Sequence, residues 1–252
     1  MTTRVLVVDP VGESALRLGP VLQRDFAQVH AAVAVAEAFE VIKAHDPQLL
    51  VIDVRGPDAD TRRLVERVMA DRPRPIVLVA DTPVARQAAF SLLDAGALEV
   101  VSLGQKPDVT ELRKRLKLLA SVRVVRHPRG KRRRSSNLIA AVPAFPLVAI
   151  AASLGGPKAL AVVLTALPKG LRAPVVICQH ITPGFSDDLA VWLEAETGPR
   201  VHEAQQGQRL VRGEFFIAPA GQHMRVTGGG GVLLDDGPPV GGFKPSCDVL
   251  LK

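Results

Sequence analysis

Short apolar segments alternate with longer amphipathic ones from residue 4 to about residue 120 of the 252-residue chain. The short segments have the apolar content of buried strands, and the longer ones repeat apolar residues at helical spacing. Five such units predict a doubly wound α/β domain with a parallel sheet, whose functional edge lies at the carboxyl ends of the strands. The predicted strands are Arg4–Val8, Gln28–Ala32, Leu49–Val54, Ile76–Ala80 and Glu99–Leu103, and the predicted helices are Glu13–Arg24, Val35–His45, Asp60–Ala70, Val84–Ala95 and Val109–Leu119.

A basic, proline-containing segment separates this first domain from a second one. Seven cations and no acid lie between Arg123 and Arg134, which matches the net charge of +7 of the whole chain. Serines and prolines follow, so we predict an exposed linker over 121–146, between domains at 1–120 and 147–252. Because the basic run has no interleaved aromatic residues and no accompanying nucleic-acid-binding motif, we expect no nucleic-acid partner.

The second domain opens with an apolar strand that runs directly into a serine. Residues 148–152 lead to Ser153, two glycines make a turn, and a helical pattern begins at once, as in a nucleophile elbow. A second apolar strand, 174–179, ends on His180, so the two side chains can meet at one sheet edge, as Ser–His chemistry requires. Taken alone, Ser153 is more often a helix cap than a nucleophile.

The rest of the second domain reads as one more helix followed by shorter strands. We expect His202 and His223 to lie outside the reacting pair. The predicted elements are a helix at Ser186–Glu196, strands near Glu214–Ala218, Met224–Thr227 and Val232–Leu234, and a hairpin turn at Gly228–Gly231.

An acid that would orient the histidine is not evident in the sequence. Asp187 and Asp188 suit the first turn of a helix, which leaves Asp248 as the remaining candidate. The two cysteines, Cys178 and Cys247, lack metal-ligand spacing and indicate a reducing compartment. With no secretory signal and no apolar run long enough to span a bilayer, the sequence predicts a cytoplasmic protein without membrane insertion.

Two aspartates follow the ends of strands in the first domain. Asp9 comes after the first strand, Asp53 ends the third, and an Asp94-Ala95-Gly96-Ala97 stretch precedes the fifth. Together these features resemble a response-regulator receiver domain, a flavodoxin-like fold. By that resemblance Asp53 is the phosphorylated aspartate, Asp9 and Asp53 hold Mg²⁺, and a chemotaxis histidine kinase is a partner.

The first domain departs from the receiver pattern at three places. Pro10 stands where a second acid is usual, Ala80 where a Thr or Ser ends the fourth strand, and Leu103-Gly104 where Lys-Pro is usual. A Lys-Pro pair occurs later, at Lys106-Pro107. A missing acid weakens Mg²⁺ binding, and a missing lysine and hydroxyl remove contacts to the phosphoryl group. We therefore favour a receiver-shaped docking domain over a working phosphoswitch.

Four segments of the second domain stand out as motifs: Ala151–Pro157, Gln179-His180 with Pro183-Gly184-Phe185, Ile217–Met224 and Lys244–Asp248. In their order and spacing behind a receiver-like domain, they resemble the chemotaxis protein-glutamate methylesterases, the CheB family. By this resemblance Ser153 is the nucleophile, His180 is the base, and N–H groups near Gly155 and Gly156 help to hold the oxyanion. It also implies a substrate, a methyl-esterified glutamate on a cytoplasmic helix of a methyl-accepting chemoreceptor; some members deamidate glutamines, and the esterase needs no cofactor.

The match to this family has its own departures. Leu154 replaces a threonine, Ala151 replaces a glycine, and Phe243 stands where a histidine is usual. The family's acid lies in a later Gly-Met-Gly-x-Asp-Gly segment that this sequence lacks, so we expect a catalytic domain incomplete at its C-terminus and impaired activity. Two alternatives stay open: a catalytically silent module that binds receptors or another partner, and an unrelated serine hydrolase that acts on a small ester.

Overall fold

The computed structural model describes residues 3–12, 18–19, 22–104, 109–122, 124 and 146–252. The chain divides into two compact units, Met1–Gly130 and Lys131–Lys252. The predicted helix Glu13–Arg24 lies in large part outside the described residues, as do Lys106-Pro107 and most of the predicted linker.

The first unit contains a five-stranded sheet in which every pair of neighbouring strands is parallel. Its strands are β1 (Arg4–Val8), β2 (Gln28–Ala32), β3 (Leu49–Asp53), β4 (Ile76–Val79) and β5 (Glu99–Val101). Their order, β2-β1-β3-β4-β5, is the flavodoxin-like doubly wound order. The predicted fold class is therefore confirmed. All five strands begin where predicted, and β3, β4 and β5 end one or two residues earlier than predicted.

Two helices of the first unit begin at side chains that accept hydrogen bonds from free backbone N–H groups. Asp58 accepts hydrogen bonds from the N–H groups of Asp60 and Thr61 at 3.1 and 2.9 Å, and Thr82 accepts one from Ala85 at 3.2 Å. Such caps fix where each helix starts at the edge of the sheet. The helices are α1 (Val35–His45), α2 (Ala59–Asp71), α3 (Pro83–Ser91) and α4 (Val109–Ala120).

The second unit contains a four-stranded parallel sheet in the order β6-β7-β9-β8 and a separate antiparallel hairpin, β10-β11. The predictions did not include β8, which is only three residues long. The elements in chain order are β6 (Val148–Ala152), α5 (Gly156–Ala166), β7 (Val175–Gln179), α6 (Ser186–Thr197), β8 (Val201–Glu203), β9 (Phe215–Ile217), β10 (His223–Val226), β11 (Val232–Asp235) and α7 (Cys247–Leu250).

The core of the second unit holds the two central strands of its sheet. Every residue of β7 and β9 is buried, and Val176 and Phe216 pack in one cluster with Met224 and Val232 of the hairpin. Burial on both faces is typical of a strand inside a parallel sheet. Strand β7, which pairs with β6, is therefore anchored in the core of this unit.

In the part of the chain that the structure describes, no helix combines the length and the apolar character needed to cross a membrane.

Candidate active site

Ser153 and His180 meet at the carboxyl edge of the second sheet. β6 and β7 pair in register, with Ala152 opposite Gln179, so the residues that follow them emerge side by side. The N–H of His180 continues the ladder by donating to the carbonyl of Ala152 at 3.1 Å. The Nδ1 atom of His180 lies 3.1 Å from Oγ of Ser153. The serine is exposed and the histidine is half-buried, so a substrate can reach both.

A glycine pair makes the sharp turn between β6 and α5. Gly155 has a φ of 69°, in the left-handed region that favours glycine. A Cβ at Gly156 would lie 1.8 Å from Oε1 of Gln179, so only glycine fits there without a shift of that side chain. Glycine is therefore required at Gly155 by the backbone conformation and at Gly156 by the contact with Gln179.

Gln179 ties the two reacting residues together through their backbones. Its side chain is buried, and its Nε2 donates to the carbonyls of Ser153 and His180 at 2.8 and 2.9 Å. Because one amide holds both carbonyls, the separation of the serine and the histidine is fixed by the core below them. The sequence predictions did not assign this role to Gln179.

The turn after Ser153 leaves one of its two glycine N–H groups without a hydrogen-bond acceptor among the described residues. The N–H of Gly156 donates to the carbonyl of Ser153 at 2.8 Å, which closes the turn. No hydrogen bond within the described part of the chain takes up the N–H of Gly155. That N–H groups near Gly155 and Gly156 help to hold an oxyanion stays a prediction, and of the two the N–H of Gly156 already has an acceptor.

Two side chains from the C-terminal segment contact the imidazole of His180. The ring of Phe243 stacks on it with centroids 4.0 Å apart and planes inclined by 2°. On the side away from Ser153, Sγ of Cys247 lies 3.6 Å from Nε2. Sequence reasoning noted Phe243 only as a departure from a family pattern and gave Cys247 no role, since loop placement decides both contacts.

The candidate carboxylates take other positions. Asp187 and Asp188 lie in the first turn of α6, as predicted. Asp248 is exposed, and it makes no hydrogen bond or ion pair with any residue that the structure describes. It does not orient His180. The expected orienting acid is therefore not supplied by Asp248.

The other two histidines of this unit stay outside the reacting pair. His223 is buried, with Nε2 3.1 Å from the carbonyl oxygen of Pro238 and Nδ1 accepting from the N–H of Ser246 at 3.1 Å. Nε2 of His202 lies 2.8 Å from Oε2 of Glu214. Both rings brace local structure.

The buried Cys178 lies one residue before the end of β7. Burial, together with the neighbouring Cys247, raises the pKa of its thiol well above the ordinary range. Since the thiolate is the reactive form, Cys178 is not a competing nucleophile beside Ser153.

At the edge of the first sheet, Asp9 and Asp53 lie at the ends of the neighbouring strands β1 and β3, as predicted. Both side chains are buried. Arg55 reaches back to Asp53, with Nε and Nη2 2.7 and 2.6 Å from Oδ2. Oδ1 of Asp9 accepts from the N–H of Val11 at 3.1 Å. Mg²⁺ binds through carboxylate oxygens, and by the predicted role Asp53 would hold both this ion and the phosphoryl group. The guanidinium of Arg55 already contacts that carboxylate, so these residues do not fit a Mg²⁺ site.

The loop that follows β5 is held by Asp81, which comes directly after Ala80. Asp81 accepts hydrogen bonds from Oγ of Ser102 at 2.6 Å and from the N–H groups of Leu103 and Gly104 at 2.7 and 3.0 Å. These bonds fix the loop after β5 with a carboxylate. They lie next to Ala80 and at Leu103-Gly104, the positions where the receiver pattern has a hydroxyl residue and a lysine. Neither Arg55 nor Asp81 was predicted to act on this edge.

Residues 148–252 match the family model for the CheB methylesterase. Protein-glutamate methylesterase FrzG of Myxococcus xanthus is 38% identical over 244 residues, which is 95% of this chain and 70% of that protein. Protein-glutamate methylesterase/protein-glutamine glutaminase 2 of Anaeromyxobacter dehalogenans is 41% identical over 228 residues, covering 87% of this chain and 64% of that protein. Protein-glutamate methylesterase/protein-glutamine glutaminase 3 of Paramagnetospirillum magneticum is 32% identical over 267 residues, covering 98% of this chain and 74% of that protein.

Among solved structures, the Thermotoga maritima CheB methylesterase catalytic domain is 33% identical, with 43% of this chain and 59% of that chain covered and a TM-score of 0.41. The chain spans between 64% and 74% of the length of the three curated relatives.

Proposed function

The chain belongs to the protein-glutamate methylesterase family, and on that premise we propose that it hydrolyses the γ-methyl esters of glutamate side chains on the cytoplasmic helices of bacterial chemoreceptors. The observation that carries the proposal is the 3.1 Å contact between Oγ of Ser153 and Nδ1 of His180. An exposed serine in contact with an imidazole on a strand-turn-helix elbow is the arrangement of an activated nucleophile.

In the acylation step, Oγ of Ser153 attacks the ester carbonyl while Nδ1 of His180 takes the serine proton. This requires the imidazole tautomer that carries its proton on Nε2, with the lone pair of Nδ1 directed at the hydroxyl. The negative charge that develops on the carbonyl oxygen is stabilised by the free N–H of Gly155 at the start of α5.

The tetrahedral intermediate collapses when the proton on Nδ1 passes to the leaving oxygen, and methanol departs. The acyl-serine is then attacked by water, which gives its proton to Nδ1. The Ser153–acyl bond breaks, the hydroxyl recovers its proton, and a glutamate carboxylate is released. One methyl ester and one water yield one carboxylic acid and one methanol.

The tautomer that this mechanism needs is held through Nε2. Its described contact is with the thiol sulfur of Cys247 at 3.6 Å, and sulfur is a weak hydrogen-bond acceptor. In a serine protease, replacing the orienting carboxylate lowers kcat by about 10⁴. Because Asp248 does not orient this imidazole and the thiol is a weak acceptor, we propose that turnover by this chain is slow.

A second activity, deamidation of receptor glutamines, uses the same residues. Two of the relatives carry protein-glutamine glutaminase in their names as well as methylesterase. An amide enters the same acyl-serine route, with ammonia in place of methanol as the leaving group. The histidine must then protonate a nitrogen, which makes the reaction more dependent on its tautomer.

We propose that the first unit acts in the cytoplasm as a receiver-shaped docking module. The Arg55–Asp53 ion pair supports this assignment because it occupies the carboxylate that a histidine kinase would have to phosphorylate. A kinase partner would require release of that guanidinium.

The test is methanol release from methylated chemoreceptor fragments. We expect slow release by the chain, loss of release in Ser153→Ala, and no change in Ser121→Ala, which removes an exposed serine of the first unit. Release that persists in Ser153→Ala would reject this serine as the nucleophile. Receptor binding without any release would favour the catalytically silent module, and release from small esters alone would favour an unrelated hydrolase.

A further inference from the structure

Three metal-ligating side chains converge beside His180, on the side away from Ser153. Cys178 and His180 are two residues apart at the end of β7, so their side chains leave the strand on the same face. Cys247, the first residue of α7, packs against both. Its Sγ lies 3.6 Å from the carbonyl oxygen of Cys178 and 3.6 Å from Nε2 of His180.

The separations fit a tetrahedral zinc site. Zn–S bonds of about 2.3 Å and Zn–N bonds of about 2.0–2.1 Å place a sulfur and an imidazole nitrogen about 3.6 Å apart, and two sulfurs about 3.8 Å apart. Sγ of Cys247 and Nε2 of His180 are already 3.6 Å apart. The two sulfurs and a ring nitrogen of the histidine all lie within 4.8 Å of one another.

The three side chains form a partly buried site that a cation can reach from solvent. Cys247 and His180 are half-buried and open to solvent, while Cys178 is fully buried beneath them. Two thiolates and one divalent cation sum to zero charge, which limits the desolvation cost of a partly buried site. Two cysteines and a histidine are the donors that select Zn²⁺ over Mg²⁺ or Ca²⁺.

We propose that Cys178, His180 and Cys247 bind a thiophilic divalent cation, Zn²⁺ in the first instance, and that the bound cation inactivates Ser153. Both thiols lose their protons on binding, and the lone pair of Nε2 becomes a metal ligand. The imidazole proton must then reside on Nδ1, which donates to Oγ of Ser153 and can no longer accept its proton. The inhibitory consequence rests on the proposed function, whereas the binding does not.

The metal arm of the test is a Co²⁺ titration of the reduced, metal-free full chain. We expect one equivalent of Co²⁺ to give the intense visible bands of tetrahedral cobalt and a thiolate-to-metal charge-transfer band, both removed by Zn²⁺. Loss of a ligand should weaken affinity by at least about tenfold, since even loss of a supporting contact costs 10–100-fold. We expect that loss in Cys247→Ser and in His180→Gln, with the charge-transfer band also reduced in Cys247→Ser.

His45→Gln is the matched control. The ring of His45 stacks on that of His30 with centroids 4.1 Å apart. The substitution therefore removes an imidazole that is not a ligand of the proposed site. The cobalt spectrum should be unchanged in this variant. A stoichiometric complex without the charge-transfer band, or a band of undiminished intensity in Cys247→Ser, would overturn the site.

The tautomer arm uses the ¹⁵N chemical shifts of the His180 side chain, measured with and without Zn²⁺. We expect a metal-bound Nε2 and a protonated Nδ1 in the zinc form. An Nε2 that Zn²⁺ leaves unshifted would overturn the inhibitory mechanism. Neither readout depends on turnover, so a metal-free chain that releases no methanol would count against the proposed function alone.

Discussion

The ring of Phe243 lies flat against the imidazole of His180, with centroids 4.0 Å apart and an interplanar angle of 2°. This contact restricts rotation of the histidine about its side-chain bonds, so that Nδ1 stays directed at Ser153. The aromatic face thus does part of the positioning that a hydrogen bond to a carboxylate performs in other Ser–His pairs.

Phe243→Ala should lower kcat for methyl-ester hydrolysis with little change in KM. Aromatic pairs contribute about 0.5–1.5 kcal/mol beyond area burial, which corresponds to about a two- to tenfold loss of rate. The measurement is steady-state methanol release. Phe243→His keeps a planar ring and should retain more of the rate; equal losses in both variants would show that stacking does not matter.

Gly156→Ala should destabilise the second unit by about 1–3 kcal/mol, the usual cost of overpacking. The added Cβ would lie 1.8 Å from Oε1 of Gln179. Urea unfolding can be followed by fluorescence of Trp192, the single tryptophan of the chain, which is buried in this unit. Because Gln179→Ala removes the clashing atom, the double variant should be less destabilised than the sum of the two single variants.

Gly229→Ala is the control for this substitution. A Cβ at Gly229 meets nothing within 4 Å and the residue lies outside the left-handed region, so the free energy of unfolding should change by less than about 0.5 kcal/mol. Equal effects at the two glycines would contradict the assigned contact.

Arg55→Ala should increase both Mg²⁺ binding and phosphate uptake by the first unit several-fold. Nε of Arg55 donates a hydrogen bond to Oδ2 of Asp53 and Nη2 forms an ion pair with the same oxygen, so the substitution removes a competitor of the cation and of the phosphoryl group. Intact mass after incubation with a small phosphodonor and Mg²⁺ measures the uptake, which Asp53→Asn should abolish. Arg63→Ala, an exposed arginine of α2, should leave the low wild-type level unchanged, and rapid phosphorylation of the wild type would refute the occupied-carboxylate explanation.

Asp25→Asn should destabilise the first unit at neutral pH but not in acid. Hydrogen bonds from Arg113 and Lys117 hold the pKa of Asp25 well below its usual range. A lowered folded-state pKa stabilises the fold above the ordinary carboxyl pKa of about 3.9, and this contribution disappears as the pH falls through the folded-state value. Hydrogen exchange of β1 and β3 peptides across that range measures the difference. Asp60→Asn, which removes an exposed carboxylate of α2, is the matched control.

The strands and the reacting pair were predictable because local pattern decides them. Buried strands in a parallel sheet are short apolar runs, and the residues after two paired strands must emerge together, which is why Ser153 and His180 were found. Strand β8 was missed because its three residues include His202 and Glu203 and carry too little apolar signal. Helix α3 was expected to reach Ala95, yet it ends at Ser91.

The sequence pattern could not predict which side chains contact His180 and Asp53 at the carboxyl edges of the two sheets. Phe243 and Cys247 reach His180 from a segment more than sixty residues away in sequence, and nothing in their own neighbourhood marks the contact. Gln179 reads as one more strand residue. In the sequence, Arg55 has the pattern of an exposed cation in a loop, and its ion pair with Asp53 is evident only from the three-dimensional structure.

Cys247→Asp should raise kcat at least about tenfold, a fraction of the 10⁴ that an orienting carboxylate contributes in a serine protease. The sulfur of Cys247 lies 3.6 Å from Nε2 of His180, and an aspartate oxygen at this position reaches slightly further, within hydrogen-bond distance. Such an oxygen accepts the Nε2 proton and so fixes the tautomer in which Nδ1 can take the proton of Ser153. Cys247→Ala removes the thiol without adding an acceptor and should give no gain, and Asp248→Asn, next to it but exposed, should leave the rate unchanged. If methanol release in Cys247→Asp stays at or below that of Cys247→Ala, the orientation of Nε2 does not limit the rate.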